Sequence, residues 1–522
     1  MNSDTTPVYK EISAGLRALL TLIVMTGSFM AILDTTVVDV VVPRMMGPLS
    51  TDLYGVQWVI TAYMTAAAVG LLLTHSLGNV WGLKRLFLIG LLVFTGASAL
   101  CGMAQDLAQM VVFRILQGLG EAFIMASAQT ILFAIYPPEK RGLAMGIYAL
   151  GVSFAPSLGP TIGGWITEHL NWRWIFYINL PVGIMNLVAG ISFLPVVMKH
   201  KERLRFNFTS YLLLASFTIS LLILLSKGQQ QGWFQSTFIL SLAFVAVISL
   251  LMYLLSELMS NHRLIDFSIF RIREYSFSMG FYFFVMGLSI YQVFYLLPLY
   301  YENLKHLTTF QTGIHMLAFA IFIAIFSPLA GHLSDRIGPI KVLMASLLLY
   351  LFTSFFLIPS LNYYTPSVKA ALITIPLGIA LGNFFAPVTT LALGRLGEKT
   401  GLGVSLMHYL RFVGGSFGTA IATNTLESRQ AFHYEEISVL QNGAHLHRFM
   451  EDATTRLSAF FPEPIATLKA QALAGYAQQL QALSHAFQDT FLHSFYFALM
   501  GSVFLVMLIV SISHERRHQR HL

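Results

Sequence analysis

The 522-residue sequence contains a single cysteine, Cys101, set in an apolar run, which excludes an intramolecular disulfide framework. Charge is scarce as well. Only 11% of the side chains are Asp, Glu, Lys or Arg while 56% are hydrophobic, and a chain so apolar is not a soluble globular protein of ordinary composition. There is no G-x-x-x-x-G-K-[ST] loop to cradle ATP phosphates. No constellation is read as a metal site or a catalytic nucleophile, and no cofactor is expected. The reading is of a membrane protein, not an enzyme, whose work draws on a gradient.

What is present is a series of apolar runs of bilayer-crossing length. They predict spans at roughly 18–42, 56–76, 84–104, 107–131, 143–166, 173–195, 207–226, 234–256, 276–300, 311–333, 340–359, 367–393, 402–424 and 490–512. Fourteen crossings place both ends on one side. The first run has no small-residue cleavage site and is expected to be an uncleaved span. With the N-terminus inside, inner segments carry twenty Lys and Arg, among them Lys84, Arg85, Lys199, Lys201, Arg203, Arg205, Arg336 and Lys341. The short outer loops carry five: Arg44, Arg173, Lys227, Lys305 and Lys369. This is the positive-inside pattern, so the net charge of +7 reflects contact with an anionic inner leaflet, not nucleic acid.

HSLGNVWGLKR (His75 to Arg85), after the second predicted span, returns as GHLSDRIGPIK (Gly331 to Lys341) after the tenth. A short, basic, Gly-bearing loop at matching positions predicts two related six-helix bundles joined by an insert. The expected division is 1–198 for the N-terminal bundle, 199–262 for a linker with two extra membrane helices, and 263–522 for the C-terminal bundle. The last unit includes an outer loop at 427–489. Within that loop Leu473, Tyr476, Leu480, Leu483 and Phe487 recur at helical spacing. That apolar face packs on the protein's own loop or on headgroups, or docks a helical partner.

One stretch departs from ordinary helix composition. YALGVSFAPSLGPTIGGW (Tyr148 to Trp165) carries Gly151, Pro156, Gly159, Pro160, Gly163 and Gly164 inside a predicted span. Such residues weaken an isolated helix, but in a membrane they permit close backbone approach and bending. Ionisable residues inside spans are equally informative, since each costs about 2.5–3.5 kcal/mol at a helix centre and needs a partner or water. Asp34 and Asp39 lie in the first span, Arg114 and Glu121 in the fourth. Counting from the helix ends at 1.5 Å per residue, Asp34 lies about 13 Å and Arg114 about 10 Å below the outer surface. An ion pair is therefore feasible, either as a site where the carboxylate exchanges the guanidinium for a proton or as a static tie. Gly159 falls at a similar level. Asp39 lies about 140° around the helix from Asp34 and is expected among headgroups. Glu121 has no cation nearby on its own helix, which leaves a proton carrier, a counter-charge for a cationic substrate, or a structural acid. Arg411 and His408 are candidates to face a substrate, with Gly414, Gly415 and Gly418 beside them as packing residues.

The quoted motifs resemble those of the major facilitator superfamily, in particular its fourteen-span drug:proton antiporters. LDTTVVDVVVP (Leu33 to Pro43) is similar to their first-helix motif, with Asp39 in place of the usual Asn. RILQGLG (Arg114 to Gly120) is similar to the fourth-helix motif, with Glu121 where a small residue is usual. The glycine–proline stretch resembles the antiporter motif of the fifth helix. Asp335, Arg336 and Gly338 match the loop motif that forms a charge latch, whereas Asn79 and Val80 depart from it in the first half. NWRWIFYINLP (Asn171 to Pro181) and RFVGGSFG (Arg411 to Gly418) resemble the EmrB/QacA-like group, and the outer loop its EmrB-like branch. The resemblance implies an all-α polytopic protein of two six-helix bundles plus two central helices, exporting small amphipathic or lipophilic compounds by proton antiport. It implies proton coupling by Asp34, Arg114 and Glu121, an inner-membrane location with both termini cytoplasmic, and a periplasmic adaptor with a TolC-type outer-membrane channel as partners. A dedicated exporter of one metabolite, such as a siderophore or fatty acid, shares every one of these motifs. A channel or receptor is a third reading.

Overall fold

The computed structural model describes residues 8–196, 207–260, 262–440 and 444–520. The basic residues Lys199, Lys201, Arg203 and Arg205 of the linker lie outside them. The described residues form helices and no strand. Fourteen helices match the predicted spans, each bounded within a few residues of its apolar run until the last two. In order they are α1 (Ala14–Met45), α2 (Trp58–Trp81), α3 (Leu83–Met103), α4 (Leu107–Ile135), α5 (Arg141–His169), α6 (Asn179–Phe193), α7 (Phe208–Lys227) and α8 (Thr237–Met259). The second half supplies α9 (Arg273–Leu304), α10 (Thr309–Ile337), α11 (Pro339–Ser360), α12 (Ser367–Leu393), α13 (Thr400–Leu440) and α14 (Glu463–Arg520). Among the described residues, twelve helices are long and apolar enough to cross a membrane, and thirteen when bent α5 is taken as one span. α13 falls short of that test, with His408 and Arg411 in its first third.

The face that carries the α2–α3 and α10–α11 turns is called the near face, and the opposite one the far face. Local chemistry marks several turns. Asp106 accepts the backbone N–H of Gln109 at 2.8 Å to cap α4, and Thr308 forms a capping box with Gln311 at the start of α10. The repeated loops share a backbone feature the motif alone does not reveal. Gly82 has φ +81 and ψ 151, Gly338 has φ +94 and ψ 141, and this conformation is open essentially to glycine alone. The two halves thus turn from their second to their third helix in the same way.

The outer segment differs from expectation. In place of a loop from 427 to 489, α13 runs on for 41 residues in all, a separate helix spans Ala444–Ser458, and α14 is continuous for 58 residues. At 1.5 Å per residue α14 is about 87 Å long, far more than a bilayer requires. Polar helix carries no hydropathy signal, so its continuation past the membrane was invisible to a count of apolar runs. Arg429 Nε lies 2.5 Å and His433 Nε2 2.9 Å from Asp489 Oδ2, tying α13 to α14 in this extension. Of the periodic residues, Phe487 and Leu480 are buried and Tyr476 pairs with His306 at 2.7 Å, so much of that face packs on the protein's own chain. Leu473 remains 48% exposed.

α5 is bent by 41° at a break between Pro156 and Leu158. It lies between α1 and α10, with backbones close on both sides. A Cβ on Gly159 would sit 2.4 Å from the Thr36 hydroxyl, and one on Gly146 would sit 2.5 Å from the Ser327 carbonyl oxygen. Gly163 faces Val37 and Gly151 faces Met25 of α1 at wider separations. Of the motif's glycines, Gly151, Gly159 and Gly163 thus face α1 and Gly164 faces Phe310 of α10, while Gly146, outside the motif, makes the other close approach to α10.

Candidate functional site

Two polar sites lie near each other, one inside the N-terminal bundle and one between the two bundles, and the structure separates them. The first is dry. Asp34 is 2% and Arg114 0% exposed, and Arg114 Nη1 donates to Asp34 Oδ2 at 2.6 Å. Asn179 Nδ2 of α6 donates to Asp34 Oδ1 at 2.6 Å and also bonds Ser98 at 3.1 Å. Arg114 gives further hydrogen bonds to Gln117 Oε1 at 2.8 Å and to the Val59 carbonyl at 3.2 Å, with the Tyr63 ring centroid 3.8 Å from its guanidinium carbon. Burying a charge pair is tolerable when its polar groups find partners, and here both Asp34 oxygens and Arg114 Nε and Nη1 have them, while Gln117 Nε2 beside them is buried without one. The predicted ion pair is thus present. Asn179, Gln117, Tyr63 and Ser98 were missed as its partners, since neutral polar residues in apolar runs raise no alarm on an insertion scale.

The second site is a cavity of about 1010 Å³ between the two bundles, lined by residues of both. Glu121 and Arg411 face it from α4 and α13, and Asp39 lines it too, in place of the headgroup position expected of it. Neither Asp34 nor Arg114 is among its lining residues. One carboxylate oxygen of Glu121 and Nε of Arg411 are buried without a hydrogen-bond partner. His408 is 1% exposed with both ring nitrogens unpartnered, and it does not line the cavity. Gly414 packs on Gly287 and Gly415 on Tyr291 of α9, the packing role expected of them. Pro156 and Pro160 of α5 contribute to the wall, as do Tyr282 and Tyr291 of α9.

The lining reaches Pro43, Tyr54, Glu302 and Glu427 at the far ends of their helices, so the cavity opens toward the far face. The near face is held shut. Asp335 accepts hydrogen bonds from the backbone N–H of Gly142 and of Leu143, each at 2.8 Å, joining α10 to the N-terminus of α5 across the two halves. Arg336 is exposed and Gly338 shapes the following turn, so within the predicted latch the bonding belongs to Asp335. In the first half, Asn79 instead bonds His75 at 3.3 Å.

Two spellings in the sequence qualify the expected lack of enzyme motifs. Gly414 to Gly418 reads G-G-S-F-G and His514 to His518 reads H-E-R-R-H. The first lies inside α13 against α9, not at the strand-to-helix turn a nucleophile elbow requires. The second falls where α14 ends, and its side chains lie outside the described ones.

Two helical bundles enclosing a polar-centred cavity, open to one face and latched at the other, define a membrane transport protein. The sequence pattern of the Major Facilitator Superfamily matches residues 24–419, and the chain belongs to that superfamily. It is 31% identical over 432 residues to the multidrug export protein EmrB of Haemophilus influenzae, covering 82% of this chain and 84% of that one. It is 31% identical over 511 residues to the fatty acid resistance protein FarB of Neisseria gonorrhoeae, covering 96% of each. The solved proton:xylose symporter XylE, bound to 6-bromo-6-deoxy-D-glucose, has the same fold at a TM-score of 0.57 and 13% identity, covering 93% of this chain and 96% of that one.

Proposed function

We propose that the protein exports small amphipathic compounds across the bacterial inner membrane by proton-driven alternating access, with its termini in the cytoplasm and its far face toward the periplasm. The observation that carries this reading is the pairing of a large cavity with a separate, desolvated Asp34–Arg114 site behind its wall. Proton and substrate then occupy different places and communicate through α1 and α5. Asp34 takes the returning proton when its contact with Arg114 opens, and α5, packed on α1 at Gly159 and on α10 at Gly146, passes the change to the other bundle. Glu121, in the cavity itself, is a second proton acceptor or the counter-charge for a cationic substrate. The multidrug export relative supports this breadth of cargo.

Dedicated export of one metabolite is the second reading, favoured by the fatty acid resistance relative that matches over nearly the whole chain. In either case the far-face extension is a surface for a periplasmic adaptor that leads to a TolC-type channel. Phe460, Leu468 and Ile465 are exposed there, at 82%, 65% and 45%. The test is accumulation of a lipophilic fluorescent cation in inverted vesicles under an imposed proton gradient, for wild type and Asp34→Asn. Gradient-dependent uptake lost in the variant is the expected result. Uptake unchanged in the variant moves the coupling site to Glu121, and no uptake by wild type favours the dedicated exporter.

A further inference from the structure

The two bundles meet along two seams, and they are closed by different means. Along α5/α10 the backbones touch directly. A Cβ on Gly331 would lie 2.3 Å from the Gly142 carbonyl oxygen toward the near face, and one on Gly164 would lie 2.7 Å from the Phe310 backbone nitrogen toward the far face. On the other side α2 and α13 pack directly on each other, with Gly401 against His75 toward the near face, and toward the far face the additional helix α7 is fastened to both. Ser226 Oγ lies 2.7 Å from Thr61 Oγ1 of α2, and Lys227 Nζ donates to the Tyr54 carbonyl at 2.8 Å. Toward the other bundle, Thr218 Oγ1 lies 2.9 Å from the Tyr409 hydroxyl of α13, and Gln229 donates to Glu427.

The same helix supplies part of the cavity wall through Leu222, Leu225 and Ser226, followed by Gln229 and Gln230. Positions 222, 225 and 226 stand at i, i+3 and i+4, one stripe of α7, and the turn after Lys227 brings Gln229 and Gln230 to the same wall. Leu222 and Leu225 are 3% and 8% exposed, whereas Leu212 and Ile219 on another side of α7 are 50% and 39% exposed. The stripe is also graded in chemistry. Its leucines lie deeper, and toward the mouth come a hydroxyl and two amides, of which Gln230 Oε1 is buried without a donor. Around that mouth Asp39, Glu302 and Glu427 line the cavity, while Arg411 lies deeper at its centre.

We infer that α7 is a wall of the transport cavity that selects its cargo, favouring amphiphiles with a hydrocarbon body and a cationic, hydrogen-bond-donating head. The inference rests on the transport reading above and adds the substrate class and the selecting element. The hydrocarbon lies along Leu222 and Leu225, and an ammonium head meets the amide row and the carboxylates of the mouth, where the unpartnered Gln230 oxygen gains a donor. By covering the far-face part of the α2/α13 seam, α7 also denies such a molecule a sideways exit into the outer leaflet.

The test uses the full chain in proteoliposomes and compares gradient-driven export of short-chain and long-chain alkylammonium ions. Leu225→Trp shortens the apolar wall and is expected to lower the long-to-short export ratio by about ten-fold, the scale at which a pocket discriminates hydrocarbon size. Leu212→Trp, on the outward side, leaves the ratio unchanged. A ratio cancels losses in folded amount, so an unaltered ratio in Leu225→Trp overturns the inference. In a Cys101→Ser background, Ser226→Cys is expected to react with a membrane-impermeant thiol reagent from the far face, several-fold more slowly when a long-chain alkylammonium is bound, while Ile219→Cys stays unreacted. Equal labelling with and without the amphiphile overturns the inference. Gln230→Leu is expected to erase a preference for primary over quaternary ammonium heads, and a wild type without that preference refutes the proposed head group. If wild type exports no alkylammonium under a gradient, the cationic cargo is overturned while dedicated export of another compound stands, and far-face labelling of Ser226→Cys still decides whether α7 faces the cavity.

Discussion

Replacing Asp335 with Asn should open the near face without unfolding the protein. The carboxylate receives two backbone N–H groups, from Gly142 and Leu143, each at 2.8 Å. Hydrogen bonds to a charged group contribute about 1.5–3 kcal/mol each. An amide keeps one of the two at neutral strength and presents an NH₂ to the other, so the loss is about 2 kcal/mol. Because these bonds join α10 to α5 across the two halves, they form only when the near face is closed. Their loss therefore changes the ratio of open to closed forms by about 30-fold instead of the stability of either bundle. Spin labels at Arg85→Cys and Lys341→Cys, both exposed at the near face, would read this in nanodiscs with Cys101→Ser as background. The expected result is a new population at longer distance in Asp335→Asn. A distance distribution matching that of Asp335 protein would refute the argument, since it would show the bonds to be incidental to closure.

Gly159→Ala would place a methyl 2.4 Å from the Thr36 hydroxyl and 2.8 Å from the Thr36 carbonyl carbon, and α1 backbone cannot yield cheaply. A loss of about 1–3 kcal/mol is expected, seen as a lower melting temperature in detergent and partly relieved by adding Thr36→Ala, whereas full stability in the single variant would contradict the packing described. Outside the spans, Lys399 donates to Asp266 at 2.6 Å and holds its carboxyl down at about 2. A depressed folded value means the pair stabilises above the unfolded value of 3.8 and is lost as pH falls toward about 2. With the side chains 43% and 49% exposed, solvent screening leaves it worth under about 1 kcal/mol. Asp266→Asn should therefore lower the melting temperature slightly at pH 7 and less near pH 2, and an equal decrease at both would exclude the ion pair as the cause.

Apolar runs announce bilayer crossings strongly, which is why the helices from α1 to α12 were legible along with the repeat of loops that proved to share the Gly82 and Gly338 backbone. The Asp34–Arg114 pair was legible too, because a buried charge in a span demands a partner at matching depth. Asn179 was not, because an amide in an apolar run carries little penalty and so little information. Hydropathy also says nothing about which helix neighbours which, and the place of α7 against both α2 and α13 could not be read from its sequence. The extension failed for a related reason. Its residues are polar enough to resemble a loop, and only the spacing of Leu480, Leu483 and Phe487 betrayed a helix.

The unbroken course of α14 couples distance to angle. Its part from Glu463 to Asp489 stands beyond the predicted span for roughly 27 residues, about 40 Å of helix. Domain rotations in transport and allosteric proteins are of the order of 15°, and an arm of that length turns such a rotation into a displacement of about 10 Å at its tip. Since the arm and the membrane segment are one helix, no joint absorbs the swing. A rearrangement confined to the bilayer would thus be delivered outside it as a stroke, amplified by geometry alone, to anything held at the tip.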